Sequence, residues 1–403
     1  MQVPDDIRRL LEEYLTLSES EENQRRLRCW EPEVVARDQW HGRPRLGSFR
    51  EEGAAPIQVT IQYPFYKSVF GPFSLAEVHQ DPVTYLRFNL RRMIWVFRQV
   101  QDDIPLDRVM FVYVCSPFEP SFFGVPVHWS PDHDPLIDQK PRPPVQSGDD
   151  LEKLPPIDFY RSGMMPVALR IYEGVKEMVG EHLTVTFPEW LRSPFGVALY
   201  VRGYSDMLVD LVGNPEFSHA VMVRIVQERQ AWFEARARYL GQPVPPASIF
   251  NDEVDVSVIS PRHYRNVILP HEQELSRYHK RISYWHSCGN IGPLARDITT
   301  LPGLEMLDVS GWTDPEQVLS TIDASNLRIE RRFKPIDDLQ DASPEWIAQR
   351  VRGTLRLCRQ HNVSAVTLRV SGIQHWENPE ADIAKVNQWI GIARRVVEEE
   401  TKS

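Results

Sequence analysis

Long apolar runs are missing from this chain: no segment approaches the roughly eighteen consecutive apolar residues of a membrane-spanning helix, which excludes a helical membrane protein. Cysteine is scarce, with four residues in 403 (Cys29, Cys115, Cys288 and Cys358), at spacings that build no disulfide framework; a reducing, cytoplasmic setting is expected. No run of Lys or Arg is dense, and the formal net charge is -10, so neither nucleic acid nor a membrane surface is an expected partner. The N-terminus has no basic region leading into an apolar core, so no secretory signal is expected. There is no internal repeat, and no glycine-rich phosphate fingerprint follows the first strand-like segment, which argues against a doubly wound dinucleotide-binding sheet.

What is present is an ordinary globular composition, 42% hydrophobic and 25% charged, in which strand-like and helix-like segments alternate. Strands are predicted at 57–63, 109–114, 183–187, 248–251, 282–285, 304–309, 327–331 and 365–370. Eight such segments fit an α/β fold of the (β/α)8 TIM-type barrel. The helices predicted at 315–322, 344–361 and 379–399 each open on proline, which needs no N–H in a first turn. Residues 5–17 put Ile7, Leu10, Leu11, Tyr14 and Leu15 at helical spacing. An N-terminal helical extension over 1–50, ahead of a barrel domain over 51–403, is therefore expected; its apolar stripe suits either the barrel or a second copy in a homodimer. Residues 131–156, rich in proline, read as a long loop over one face.

The segment His286-Ser287-Cys288-Gly289-Asn290 closes a predicted strand, and a helix is predicted directly after it, over 291–300. Residues i and i+2 of a strand face the same way, so His286 and Cys288 present an imidazole and a thiolate to one point, a pair suited to zinc. Zinc requires at least one further ligand. Asp252 and Glu253 end the preceding strand and should face the same mouth; Glu253 or Asp252 is the expected ligand or acid–base group, ahead of His375 in the last strand-to-helix loop. The plain alternatives are a core histidine and cysteine for the pair, and helix capping or ion pairing for the carboxylates.

With these segments placed, the chain resembles the uroporphyrinogen decarboxylase superfamily over about residues 50 to 395. The resemblance rests on Ser193-Pro194-Phe195-Gly196 through Leu208-Val209-Asp210-Leu211-Val212-Gly213-Asn214-Pro215-Glu216, on Asn251-Asp252-Glu253 with Ser260-Pro261 and Pro270-His271, and above all on His286-Ser287-Cys288-Gly289-Asn290. The last is similar to a segment of the superfamily's methyltransferase branch. Arg37-Asp38-Gln39-Trp40 and Gly42-Arg43-Pro44 match more loosely. The resemblance implies a (β/α)8 barrel that, with zinc, moves a methyl group between a small methylated substrate or thiol and cobalamin carried by a partner corrinoid protein. Two departures stand out. The arginine-rich stretch with which decarboxylases of the family grip carboxylates is missing, and Ser371 stands where the methyltransferases have a second cysteine on the last strand. A uroporphyrinogen-type decarboxylase and a catalytically silent barrel serving as a binding subunit are the competing readings.

Other residues weigh less. Cys29, Cys115 and Cys358 read as core packing. Trp129, Trp190, Trp312 and Trp376 follow strand candidates and suit either a pocket mouth or packing. Arg331 and Arg332 suit either an anion or an internal ion pair, and His128 and His133 read as surface residues of the long loop.

Overall fold

The computed structural model describes residues 3–32 and 42–402. Arg37 to Trp40, and with them part of the loose N-terminal resemblance, lie outside the described residues. All eight predicted strand segments form strands: β1 (Ile57–Ile61), β2 (Val109–Phe111), β3 (Thr184–Thr186), β4 (Ala247–Phe250), β5 (Ile282–His286), β6 (Met306–Val309), β7 (Arg328–Phe333) and β8 (Ala365–Ile373). Six make one curled parallel sheet, a half-barrel in the order β1-β8-β7-β6-β5-β4. β2 and β3 pair in a separate two-stranded parallel sheet, so the described residues form a TIM-like fold without one continuous eight-strand ladder.

The seam beside β1 has a local cause. Its outward amides are taken by side chains: Ile57 N–H donates to Asp103 Oδ2 at 2.9 Å and Val59 N–H to Asp102 Oδ2 at 3.0 Å. These carboxylates stand where a neighbouring strand's carbonyls would, so the edge is satisfied without a strand partner. On the other side Phe250 of β4 makes an isolated parallel bridge with Arg192, in the segment that follows β3.

The helices form where caps and apolar stripes coincide. Pro344–Gln360 starts at Ser343, whose hydroxyl accepts from Trp346 N–H, and buries Ile347, Val351, Leu355 and Cys358 on one face. Asp81 caps Pro82–Gln99 and Asn378 caps Pro379–Thr401 in the same way. The N-terminal helix Asp5–Ser18 buries Ile7, Leu11 and Tyr14 in the main core. Two expectations need correction. The helix predicted over 291–300 is a 3-10 turn, Gly292–Leu294, running into a single helical turn, Ala295–Ile298. The proline-rich excursion is not a featureless loop: Leu136–Ile137 pairs antiparallel with Val127–His128, and Ser147 caps a short helix, Gly148–Lys153. No helix among the described residues is long and apolar enough to cross a membrane.

Candidate metal centre

A cavity of about 740 Å³ opens at the carboxyl ends of the strands, lined among others by Asp252, His286, Cys288, Arg332 and Ser371, as expected where α/β folds keep their chemistry. The alternation of β5 sets its centre. Tyr284 and His286 stack with rings nearly parallel, 6.0 Å apart, while Trp285 points the other way and donates to Glu272 at 2.9 Å. Cys288 continues the inward row, with Sγ 3.4 Å from His286 Nε2.

Asp252, just beyond β4, completes the group: Oδ1 lies 2.8 Å from His286 Nε2 and 3.3 Å from Cys288 Sγ. Donors around a tetrahedral zinc stand about 3.3–3.6 Å apart, from bonds of about 2.0–2.3 Å. The three observed separations therefore fit an ion after Asp252 and His286 part by about half an ångström. On the far side of the imidazole, Nδ1 contacts the carboxylate of fully buried Asp308. A carboxylate on the second nitrogen fixes tautomer and ring orientation, as behind metal-bound histidines. Arg332 joins Asp308 at 2.8 Å and reaches His286 Nε2 at 3.0 Å.

Charge in the group favours a cation. Burial and Arg332 work against a proton on His286, but Cys288, Asp308 and Asp252 outweigh them and hold its pKa well above the ordinary value. Enclosure opposes ionisation of Asp252, yet the hydrogen bond and charge of His286, with Arg192 and Cys288, keep its carboxyl well below the usual carboxylate range. A divalent ion would replace that proton as the counter-charge.

The other predicted residues fall elsewhere. Glu253, expected as a ligand, turns away from the cluster to Arg192 and to Tyr200, whose hydroxyl donates to it at 3.1 Å. Successive residues of this turn leave in different directions, and Asp252 occupies the place foreseen for either. Burial pushes the Glu253 carboxyl up despite Arg192. His375 pairs with Asp382 at 2.9 Å, outside the cluster. Ser371 lines the cavity but accepts from Arg332 at 3.1 Å. Trp190 is buried in an aromatic cluster with Phe122 and Trp232; Trp129 and Trp376 pack against the core. Trp312 stands at the mouth, 57% exposed, with Lys334 over its ring. Arg331 donates to the carbonyls of Val309, Ser310 and Thr313, a structural role.

Asp308 was not foreseen. The signal was a single acid inside the apolar strand Met306-Leu307-Asp308-Val309, since a buried carboxylate requires a partner.

Comparison with known proteins agrees with this architecture. The family model for uroporphyrinogen decarboxylase (URO-D) matches residues 71–387. Among solved structures, a methyltransferase from Methanosarcina mazei superposes with a TM-score of 0.60 at 14% sequence identity, covering 87% of this chain and 97% of that one. No curated protein matched the chain. With the family model covering most of its length, the chain belongs to the uroporphyrinogen decarboxylase family.

Proposed function

We propose that the protein is a zinc-dependent methyltransferase that moves a methyl group between a small methylated substrate or thiol and a corrinoid carried by a partner protein. One observation carries the reading: Asp252, His286 and Cys288 converge on one point of the cavity, all donor atoms within 4.8 Å of one another, with Asp308 behind His286. The methyltransferase among the similar folds supports the transfer chemistry. We also infer that the half-barrel and the β2–β3 pair are parts of one eight-strand barrel, and that residues 1–50 are an extension to it.

His286, Cys288 and Asp252 would hold the metal, Asp252 standing in for the cysteine that Ser371 replaces. When bound, zinc supplies Lewis acidity, stabilising negative charge on a departing alkoxide or on a substrate thiolate. Asp308 keeps the imidazole oriented, and Arg332 balances the charge of Asp308. Trp312 offers a flat apolar wall at the mouth. The decarboxylase alternative is disfavoured by the cavity's arginines: Arg192, Arg332 and Arg369 pair internally with Glu253, Asp308 and Glu330, so a polycarboxylate would have to displace those partners.

Purified protein reconstituted with zinc is expected to retain it at the His286 centre, and His286→Ala or Cys288→Ser to release it. With zinc bound, methyl cobalamin plus a thiol, or reduced cobalamin plus an aryl methyl ether, should show the corrinoid absorption change of methyl transfer. Failure of the His286 centre to bind zinc after reconstitution would sink the reading, and decarboxylation of uroporphyrinogen would replace it.

A further inference from the structure

Across the same cavity lies a second set of soft and hard donors. His79 follows the short helix Leu75–Val78, Cys115 lies just beyond β2, and Asp134 sits between the two strands of the 127–137 hairpin. His79 Nε2 lies 2.8 Å from Asp134 Oδ1, and Cys115 Sγ lies 3.6 Å from both ring nitrogens. The three donor atoms fall within 4.8 Å of one another; His79 and Cys115 are buried and Asp134 is partly so. Cys115 adopts φ +63°, a left-handed conformation uncommon for a residue with a side chain. That conformation opens the turn in which Phe118 N–H donates to the Cys115 carbonyl at 3.3 Å, and backbone outliers of this kind cluster at functional sites.

A Cys–His–Asp set suggests two chemistries. A nucleophile activated by a base places the thiol on the lone pair of one imidazole nitrogen. Equal distances to both nitrogens place Sγ against the ring instead, which disfavours that arrangement. Zinc also binds in the ring plane, so Sγ must swing from the ring face toward Nε2 before the pair shares an ion at the roughly 3.6 Å that zinc bond lengths set. The three donor atoms, gathered on one side of the loop with Asp134 Oδ1 already beside Nε2, need only that side-chain rotation. The geometry points to a second zinc-type cation site formed by His79, Cys115 and Asp134. On binding, the ion forms a bond to sulfur and the thiol proton leaves to solvent. Three protein ligands leave one position for water. The site ties the hairpin to the cavity wall, since Cys115 lines the cavity, and it does not depend on the methyltransferase reading.

The test is metal stoichiometry on the full chain: strip with chelator, reload with zinc chloride, remove the excess and measure zinc per chain by mass spectrometry. Two ions per chain are expected for wild type, one for Cys115→Ser, one for Asp134→Ala and none for Cys115→Ser combined with Cys288→Ser. Circular dichroism identifies folded variants, and Asp134→Ala serves if Cys115→Ser does not fold. With cobalt(II) in place of zinc, Cys115→Ser should halve the thiolate-to-cobalt absorption. If Cys115→Ser and Asp134→Ala both hold as much zinc as wild type, the second site is overturned and His79–Asp134 is a hydrogen bond holding a loop. If Cys115→Ser alone abolishes all zinc, the second site stands and the His286 centre fails.

Discussion

At the scale of single residues, position within the strand decides which groups meet. His286 and Cys288 were legible because two-residue alternation is local. Asp308 and Arg332 were harder to foresee, since the register of β6 against β7 brings them to the imidazole; their sequence spacing to His286 carries no periodic signal. Asp308→Asn should fold, yet weaken zinc binding by about 10- to 100-fold, the usual effect of losing a carboxylate behind a metal-bound histidine; competition with a chromogenic chelator measures this, and unchanged affinity would remove Asp308 from the site. His271 offers a separate test. It is 1% exposed, neither ring nitrogen has a hydrogen-bond partner, and burial, then the neighbouring His219, lowers its pKa to about 4. A histidine depressed in the folded state contributes stability that is complete above its unfolded pKa of about 6.5 and is lost as pH falls toward the folded value. Between pH 7.5 and pH 5 that loss is about 2 kcal/mol. Urea unfolding at the two pH values should show His271→Leu losing less stability than wild type by about that amount.

At the scale of elements, the fold was largely legible, because apolar runs, caps and first-turn prolines are written locally. Each strand candidate became a strand, and the helices at 344–360 and 379–401 begin on their prolines. What stayed hidden was pairing. Nothing in the alternation of Ile57–Ile61 announces that two consecutive acids, Asp102 and Asp103, would cap its edge. The turn after β4 shows the same limit: which of Asp252 and Glu253 enters the cavity is decided by Arg192 and Tyr200, residues far off in sequence. The edge cap is testable. Burial pushes the Asp102 pKa up to about 7, with Arg26 opposing, but its oxygens accept from the Val59 and Ile104 amides. Asp102→Leu should orphan both donors at roughly 1–3 kcal/mol each. Chemical denaturation would register this; a loss below about 1 kcal/mol would mean the edge finds another partner.

At the scale of the molecule, the site residues divide unequally between the two sheets. Asp252, His286, Asp308, Arg332 and Ser371 all belong to the six-stranded sheet or follow directly from it, whereas Tyr113, Cys115 and Glu119 on the opposite wall follow β2. A two-stranded sheet of three residues per strand has little cooperative stability of its own. Amide hydrogen exchange should therefore show β2 and β3 opening at lower free energy than β5 to β8, and zinc should slow exchange near Cys115 if the second site is filled. Equal protection in both sheets would contradict this division.

The carboxylates that cap β1 thus set a mechanical asymmetry. By satisfying that edge without a strand, they leave the donor atoms of Asp252, His286 and Cys288 on a six-stranded ladder and the wall with Cys115 on a two-stranded one, so an opening of that wall, the event the exchange experiment reads, need not move the ligand set.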